Sequence, residues 1–118
     1  MNYDKNNIFA KILKGDISCK KIYENKYVLA FNDINPQKKI HVLVIPKGSY
    51  TNLDDFNKNA TDQEIAETNK AISHVANLLG ATDKGYRVLT NIGNYGGQEV
   101  LHLHFHIFAG EKVGKMVS

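Results

Sequence analysis

The chain has 118 residues, 42% hydrophobic and 23% charged, with 15 basic residues against 12 acidic and a net charge of +3. That length suits one domain over residues 1–118, and the composition excludes disordered, collagen-like and coiled-coil chains, while the charge balance is too even to nominate nucleic acid or a membrane surface as a partner. A single Cys allows neither an intramolecular disulfide nor a Cys-based zinc site, and it fits a cytoplasmic protein. The most apolar run, residues 40–46, is far shorter than the roughly 20 residues of a membrane helix, and MNYDKNNIFAK has no apolar stretch of signal-peptide length.

In chain order, Ile8, Phe9, Ile12 and Leu13 share one side at helical spacing. Asn6 or Asn7 caps this short helix and Gly15 ends it in the left-handed conformation. Residues 20–24 and 27–31 are β-prone runs joined across Glu24-Asn25-Lys26 as a tight hairpin. Asp33-Ile34-Asn35-Pro36-Gln37 is turn chemistry, and residues 40–45 (IHVLVI) read as a buried strand stopped by Pro46 and Gly48. Thr61 and Glu64 form a capping box at the head of a long helix over residues 62–79. Its apolar stripe is Ile65, Ile72, Val75, Ala76 and Leu79, and Gly80 is its stop. Residues 86–91 are a further strand, residues 92–98 a glycine-rich polar loop, and residues 100–109 a last strand. Consecutive strands with one long helix between them predict an α+β fold on an antiparallel sheet rather than a doubly wound parallel one.

The last strand carries the chemistry. Of 5 histidines, His102, His104 and His106 alternate with Leu103 and Phe105. In a strand they share one face about 6.6 Å apart at Cα, while Leu101, Leu103, Phe105, Ile107 and Ala109 point to the core. Crowded imidazoles resist multiple protonation, so at least one stays neutral near pH 7, the nucleophilic form. Zinc binding by neighbouring histidines with His41 competes with this reading, but His102 and His106, roughly 13 Å apart, do not converge on one tetrahedral ion. An idle row of surface histidines is the third reading. His74, on the long helix, is expected to be a polar-face residue, and Cys19 an incidental thiol. No P-loop, no Gly-x-Gly-x-x-Gly and no acidic pair placed for Mg²⁺ is present, so no cofactor or metal is expected.

The run His102-Leu103-His104-Phe105-His106-Ile107-Phe108 resembles the signature of the histidine triad superfamily. The flanks resemble its Hint branch: Ile8-Phe9-Ala10-Lys11-Ile12, residues 27–31 with Asp33-Ile34-Asn35-Pro36-Gln37, residues 41–47, and Asn91 with Gly96-Gly97-Gln98-Glu99-Val100. The resemblance implies a five-stranded antiparallel sheet with one long and one short helix. It also implies a homodimer in which two sheets join into a ten-stranded one, with the long helix at the junction.

For function, the resemblance implies a nucleotide hydrolase that cleaves purine nucleoside 5'-phosphoramidates and aminoacyl adenylates at the α-phosphorus. His104 would be the nucleophile. His106 would contact the phosphate and assist the leaving group, His102 would orient its neighbour, and His41 would join the site as a fourth His. Asp33 would bind the ribose hydroxyls. Phe9, Ile17, Phe31 and Ile34 would hold the nucleoside, and Asn91 with the Gly96-Gly97-Gln98-Glu99 turn would hold the phosphate, Glu99 through its backbone N–H. The tail at 111–118 departs from better-known members, and in the family it lies near the partner's active site. The competing functions are a dinucleoside polyphosphate hydrolase, a non-enzymatic nucleotide-binding adaptor and a zinc protein.

Overall fold

In the computed structural model, which describes residues 3–116, helix α1 (Ile8–Lys14) begins where the Asn7 side chain accepts the Ala10 N–H. It ends at Gly15, whose φ of 85° is left-handed. The ends of the domain expected over 1–118, and the last two positions of the tail, lie outside the described residues.

Strands β1 (Lys21–Glu24), β2 (Val28–Asn32) and β3 (Ile40–Pro46) follow as antiparallel neighbours. After helices α2 (Leu53–Asn59) and α3 (Asp62–Leu78), strands β4 (Arg87–Leu89) and β5 (Phe105–Ala109) complete a five-stranded sheet in the order β1-β2-β3-β5-β4. Every pairing is antiparallel, as the α+β reading expects. No helix among the described residues is long and apolar enough to cross a membrane.

The sheet is covered on both faces, which is why β2 and β3 read as continuous apolar runs rather than alternating ones. Val28, Ala30, Val42, Val44 and Ile107 meet Ala71, Ile72 and Val75 of α3 on one face. Leu29, Phe31, Leu43 and Ile45 meet Phe9 of α1 on the other. His106 is paired with Leu43 across the ladder and shares that second face. The long helix and the histidines therefore lie on opposite sides of one sheet.

Helix α3 starts with the expected capping box: Thr61 accepts the Glu64 N–H and Glu64 accepts the Thr61 N–H. Glu64 also accepts the Tyr50 hydroxyl, tying the loop after β3 to the helix. Thr61→Ala is expected to lower stability by about 1 kcal/mol, read as a lower urea midpoint at unchanged slope. An unchanged midpoint would show that the cap does not hold the helix.

Three expectations are corrected. The described residues hold three helices, not two: only Phe56 of the seven residues of α2 is buried, so no apolar stripe marks it in the sequence. Its start carries the usual signal, since the Asn52 side chain accepts the Asp55 N–H and Asp54 and Asp55 sit in the first turn. The strand expected over residues 86–91 is only Arg87–Leu89, with the Thr90 hydroxyl donating to the His104 carbonyl just beyond it.

The strand expected over residues 100–109 forms only from Phe105. Its first half bends away from the ladder through residues 100–102 and stays unpaired, because its polar groups go elsewhere. The Leu103 N–H donates to the Tyr50 carbonyl, and the carbonyls of His102 and Pro46 are taken by imidazole rings.

Candidate active site

That departure from the ladder gives the three histidines three different surroundings. His102 is fully buried, with no exposed surface. Its Nε2 lies 2.9 Å from the Pro46 carbonyl. A carbonyl only accepts, so Nε2 carries the proton and Nδ1 accepts the Tyr3 hydroxyl. Both ring nitrogens are thus used inside the protein. Burial, with the His104 charge adding to it against the Pro46 hydrogen bond, pushes the imidazole down to about 4. His102 does not line the cleft.

His104 is 6% exposed and packs edge-on against Phe9, ring centroids 4.9 Å apart. Its Nδ1 lies 2.7 Å from the His102 carbonyl, so by the same logic Nδ1 carries the proton. Nε2 keeps its lone pair and has no protein partner among the described residues. Burial lowers the basicity of the ring; the His102 hydrogen bond and the charges of Asp33 and Glu99 oppose it in part. The ring is neutral at pH 7.

His106 belongs to β5 and meets His41 of β3, with His41 Nε2 2.9 Å from His106 Nδ1. The Gln37 N–H donates to His41 Nδ1 at 3.1 Å, so the neutral His41 ring carries its proton on Nε2. It follows that His106 accepts at Nδ1 and presents Nε2–H as a donor. Burial, then the nearby His104 and His41, push His106 down to about 4. Burial likewise lowers His41, against the pull of Asp33, whose Oδ2 lies 3.4 Å from His41 Nε2.

His41, His104 and His106 open onto a cleft of about 320 Å³, whose other walls include Phe9, Asp33, Asn91 and Glu99. A larger hollow of about 510 Å³ between α2, α3 and Phe105 holds no titratable group but Asp62 and lies away from the histidines. Size does not decide between them; the clustered imidazoles do.

Of the residues expected to hold the nucleoside and phosphate, Phe9, Asp33, Asn91 and Glu99 are brought to the cleft. The others are not. Phe31 is 3% exposed in the core behind it. Ile17 and Ile34 stand on the surface at 36% and 88% exposure, outside the lining residues. Gln98 points away from the cleft: its amide nitrogen donates to the carbonyls of Thr51 and Val100 and its oxygen accepts the Gly93 N–H. It thereby shapes the 92–98 loop. Gly96 in that loop is obligatory, since a Cβ there would lie 2.3 Å from the Ile92 carbonyl oxygen.

Gly97 of the expected phosphate-binding turn also lines the cleft, as do Asn35, Gln37, Leu43 and Val100, which carry the family resemblance but to which the sequence assigns no site role. The polar turn holding Asn35 and Gln37 is a usable signal; nothing in the sequence marks Tyr3. His74 is exposed and stacks edge-on with Tyr23, 4.7 Å away, far from this chemistry. Cys19 is a half-buried free thiol pushed up by burial.

Donor atoms of Asp33, His41 and His106 lie within 4.8 Å of one another, the one such group among the described residues with the ligand types for a divalent ion. His102 and His104 are not part of it.

Residues 14–113 match the family model of the HIT domain. The chain belongs to the HIT domain family. Among HIT relatives, a HIT-like protein of Azospirillum brasilense is 53% identical over 98% of this chain and 95% of its own. The purine nucleoside phosphoramidase of Escherichia coli K12 is 32% identical over 94% and 92%. The HIT fold is equally plain in solved structures: a HIT family hydrolase from Clostridium thermocellum superposes with a TM-score of 0.88 at 38% identity, covering 98% of this chain and 99% of that one.

Proposed function

We propose that this HIT protein is a hydrolase of purine nucleoside 5'-phosphoramidates, and of mixed anhydrides such as aminoacyl adenylates, acting through a nucleotidyl-His104 intermediate. One observation carries the reading: His104 directs an unprotonated Nε2 at the cleft while its Nδ1–H is held by the His102 carbonyl. A neutral imidazole with a fixed tautomer is a ready nucleophile, and covalent catalysis divides one hard displacement into two easier ones. The phosphoramidase named among the relatives and the hydrolase named among the structures support hydrolytic chemistry in general.

In the first step His104 Nε2 bonds to the α-phosphorus and the P–N bond breaks. Its electron pair stays on the nitrogen, which takes up a proton from solvent and leaves as an amine; the hydrolysing water returns a proton to solvent in the second step. The His102 carbonyl remains bonded to Nδ1–H as the ring becomes cationic, so charge develops where an acceptor already sits. His106 Nε2–H donates to a phosphoryl oxygen, its tautomer set by His41 and, behind that, by the Gln37 N–H. Water then attacks phosphorus, the N–P bond breaks, and the nucleoside monophosphate departs. Asp33 accepts the ribose hydroxyls, Phe9 packs against the nucleoside, and the Asn91 amide and the Glu99 N–H bind the phosphate. Pairing of two copies through the outer edge of β4 into a ten-stranded sheet, and a cytoplasmic location, belong to the same reading.

Rapid quench into alkaline denaturant during turnover of adenosine 5'-phosphoramidate, followed by peptide mapping at alkaline pH, tests it, since an N–P bond to histidine survives base and not acid. An adenylyl group on His104 is expected, together with net retention of configuration at phosphorus. Inversion with no adduct would mean that water attacks directly and that His104 is not the nucleophile. Parallel rates on diadenosine polyphosphates separate the phosphoramidase from the polyphosphate hydrolase.

A further inference from the structure

The cleft that would receive a phosphate is short of positive charge. The chain carries 15 lysines and arginines, yet among the described residues none lines the cleft. Its charged side chains are Asp33 and Glu99. The imidazoles do not compensate, because burial keeps His104 and His106 unprotonated at neutral pH. A bound phosphoramidate anion is thus met by N–H dipoles and by two carboxylates, a setting that tolerates one negative charge and penalises more.

The two carboxylates are not equivalent. Asp33 is committed: one oxygen accepts the Asn35 N–H at 2.8 Å and the other lies 3.4 Å from His41. Glu99 is exposed, makes no hydrogen bond or ion pair among the described residues, and stands close enough to His104 for its charge to be felt by that ring. Its charge is therefore available to whatever group hangs from the phosphorus beside the nucleophile.

We propose that Glu99 makes the cleft select leaving groups that carry a positive charge, such as an amine bearing a second, ammonium group, and reject those that carry a negative one. The proposal rests on the phosphoramidase reading. It sets the order ammonium-bearing, then neutral, then carboxylate-bearing leaving groups, with the polyphosphate chain of a dinucleoside polyphosphate last. Because Glu99 is solvent-exposed, the preference weakens as salt rises.

Three adenosine 5'-phosphoramidates test it, those of 1,3-diaminopropane, propylamine and β-alanine, which are nearly equal in size and differ in charge. The wild-type protein is expected to favour the first over the third in kcat/KM by roughly tenfold at low salt. Glu99→Gln should compress that ratio towards one, and Glu99→Lys should invert it, with thermal unfolding confirming that both variants fold. A ratio unaltered in Glu99→Gln, or equal rates on all three in the wild type, would overturn the proposal and leave the phosphoramidase reading standing. Failure of the wild type to cleave any of the three would overturn both.

Discussion

His104→Ala is expected to lower kcat/KM for an adenosine phosphoramidate by roughly 10⁴-fold or more, because in the proposed mechanism it removes the atom that bonds to phosphorus. Nucleotide binding should survive, since the Asp33 carboxylate and the Asn91 amide remain in the cleft. Steady-state hydrolysis alongside titration calorimetry with AMP checks both halves. A variant within tenfold of the wild type would remove His104 from the covalent role. His106→Ala, which deletes a donor but leaves the nucleophile, should lose less, roughly 10²- to 10³-fold. The wild-type rate should fall in acid as His104 takes a proton onto Nε2. The midpoint of that loss lies on the acid side of a free imidazole's, because burial makes the ring less basic.

A second large effect concerns stability. Replacing His102 by Ala should destabilise the fold by roughly 3–4 kcal/mol, through a cavity and an orphaned carbonyl at Pro46. The same residue makes the wild type acid-sensitive. Its folded pKa is about 4 against about 6.5 for an unperturbed histidine, so between those values the unfolded chain binds the proton and the folded one does not. Stability is complete above about pH 6.5 and declines as pH falls towards 4, by about 3 kcal/mol from this residue. Burial of His106 acts in the same direction. Urea unfolding of the wild type and His102→Ala at pH 7 and pH 4.5 measures the difference. The variant should start lower and fall less, and parallel pH profiles would show that His102 is not the buried neutral group.

Much of the fold could be read directly. Capping by Asn7, Gly15 and the Thr61–Glu64 pair is local chemistry, and it brackets α1 and α3 correctly. The two-faced burial of β3 follows from the continuous apolar run over residues 42–46. Helix α2 escaped because its turns are held by Asn52 and one aromatic rather than by a stripe. The site was less readable than the sheet. Alternation suggests three equivalent imidazoles on one face, and the structure gives them three separate environments, because unpaired carbonyls of Pro46 and His102 capture two of the rings. Strand periodicity describes where side chains point in a ladder, and it does not foresee a segment whose hydrogen bonds go to rings instead. Gln98 shows the same limit: a polar residue beside the signature suits a ligand contact or a loop brace equally well until its partners at Gly93, Thr51 and Val100 are known.

The bond from Tyr3 to His102 spans 99 positions of the chain, and Phe9 rests on the His104 ring at a similar separation. Contacts this distant in sequence close long loops, whose entropy cost slows folding. A nascent chain on the ribosome therefore holds Tyr3, Phe9 and most of the sheet long before β5 exists to meet them. In the proposed reading the site is complete only once β5 has been made, so that onset of hydrolysis during synthesis would serve as a clock for the docking of β5.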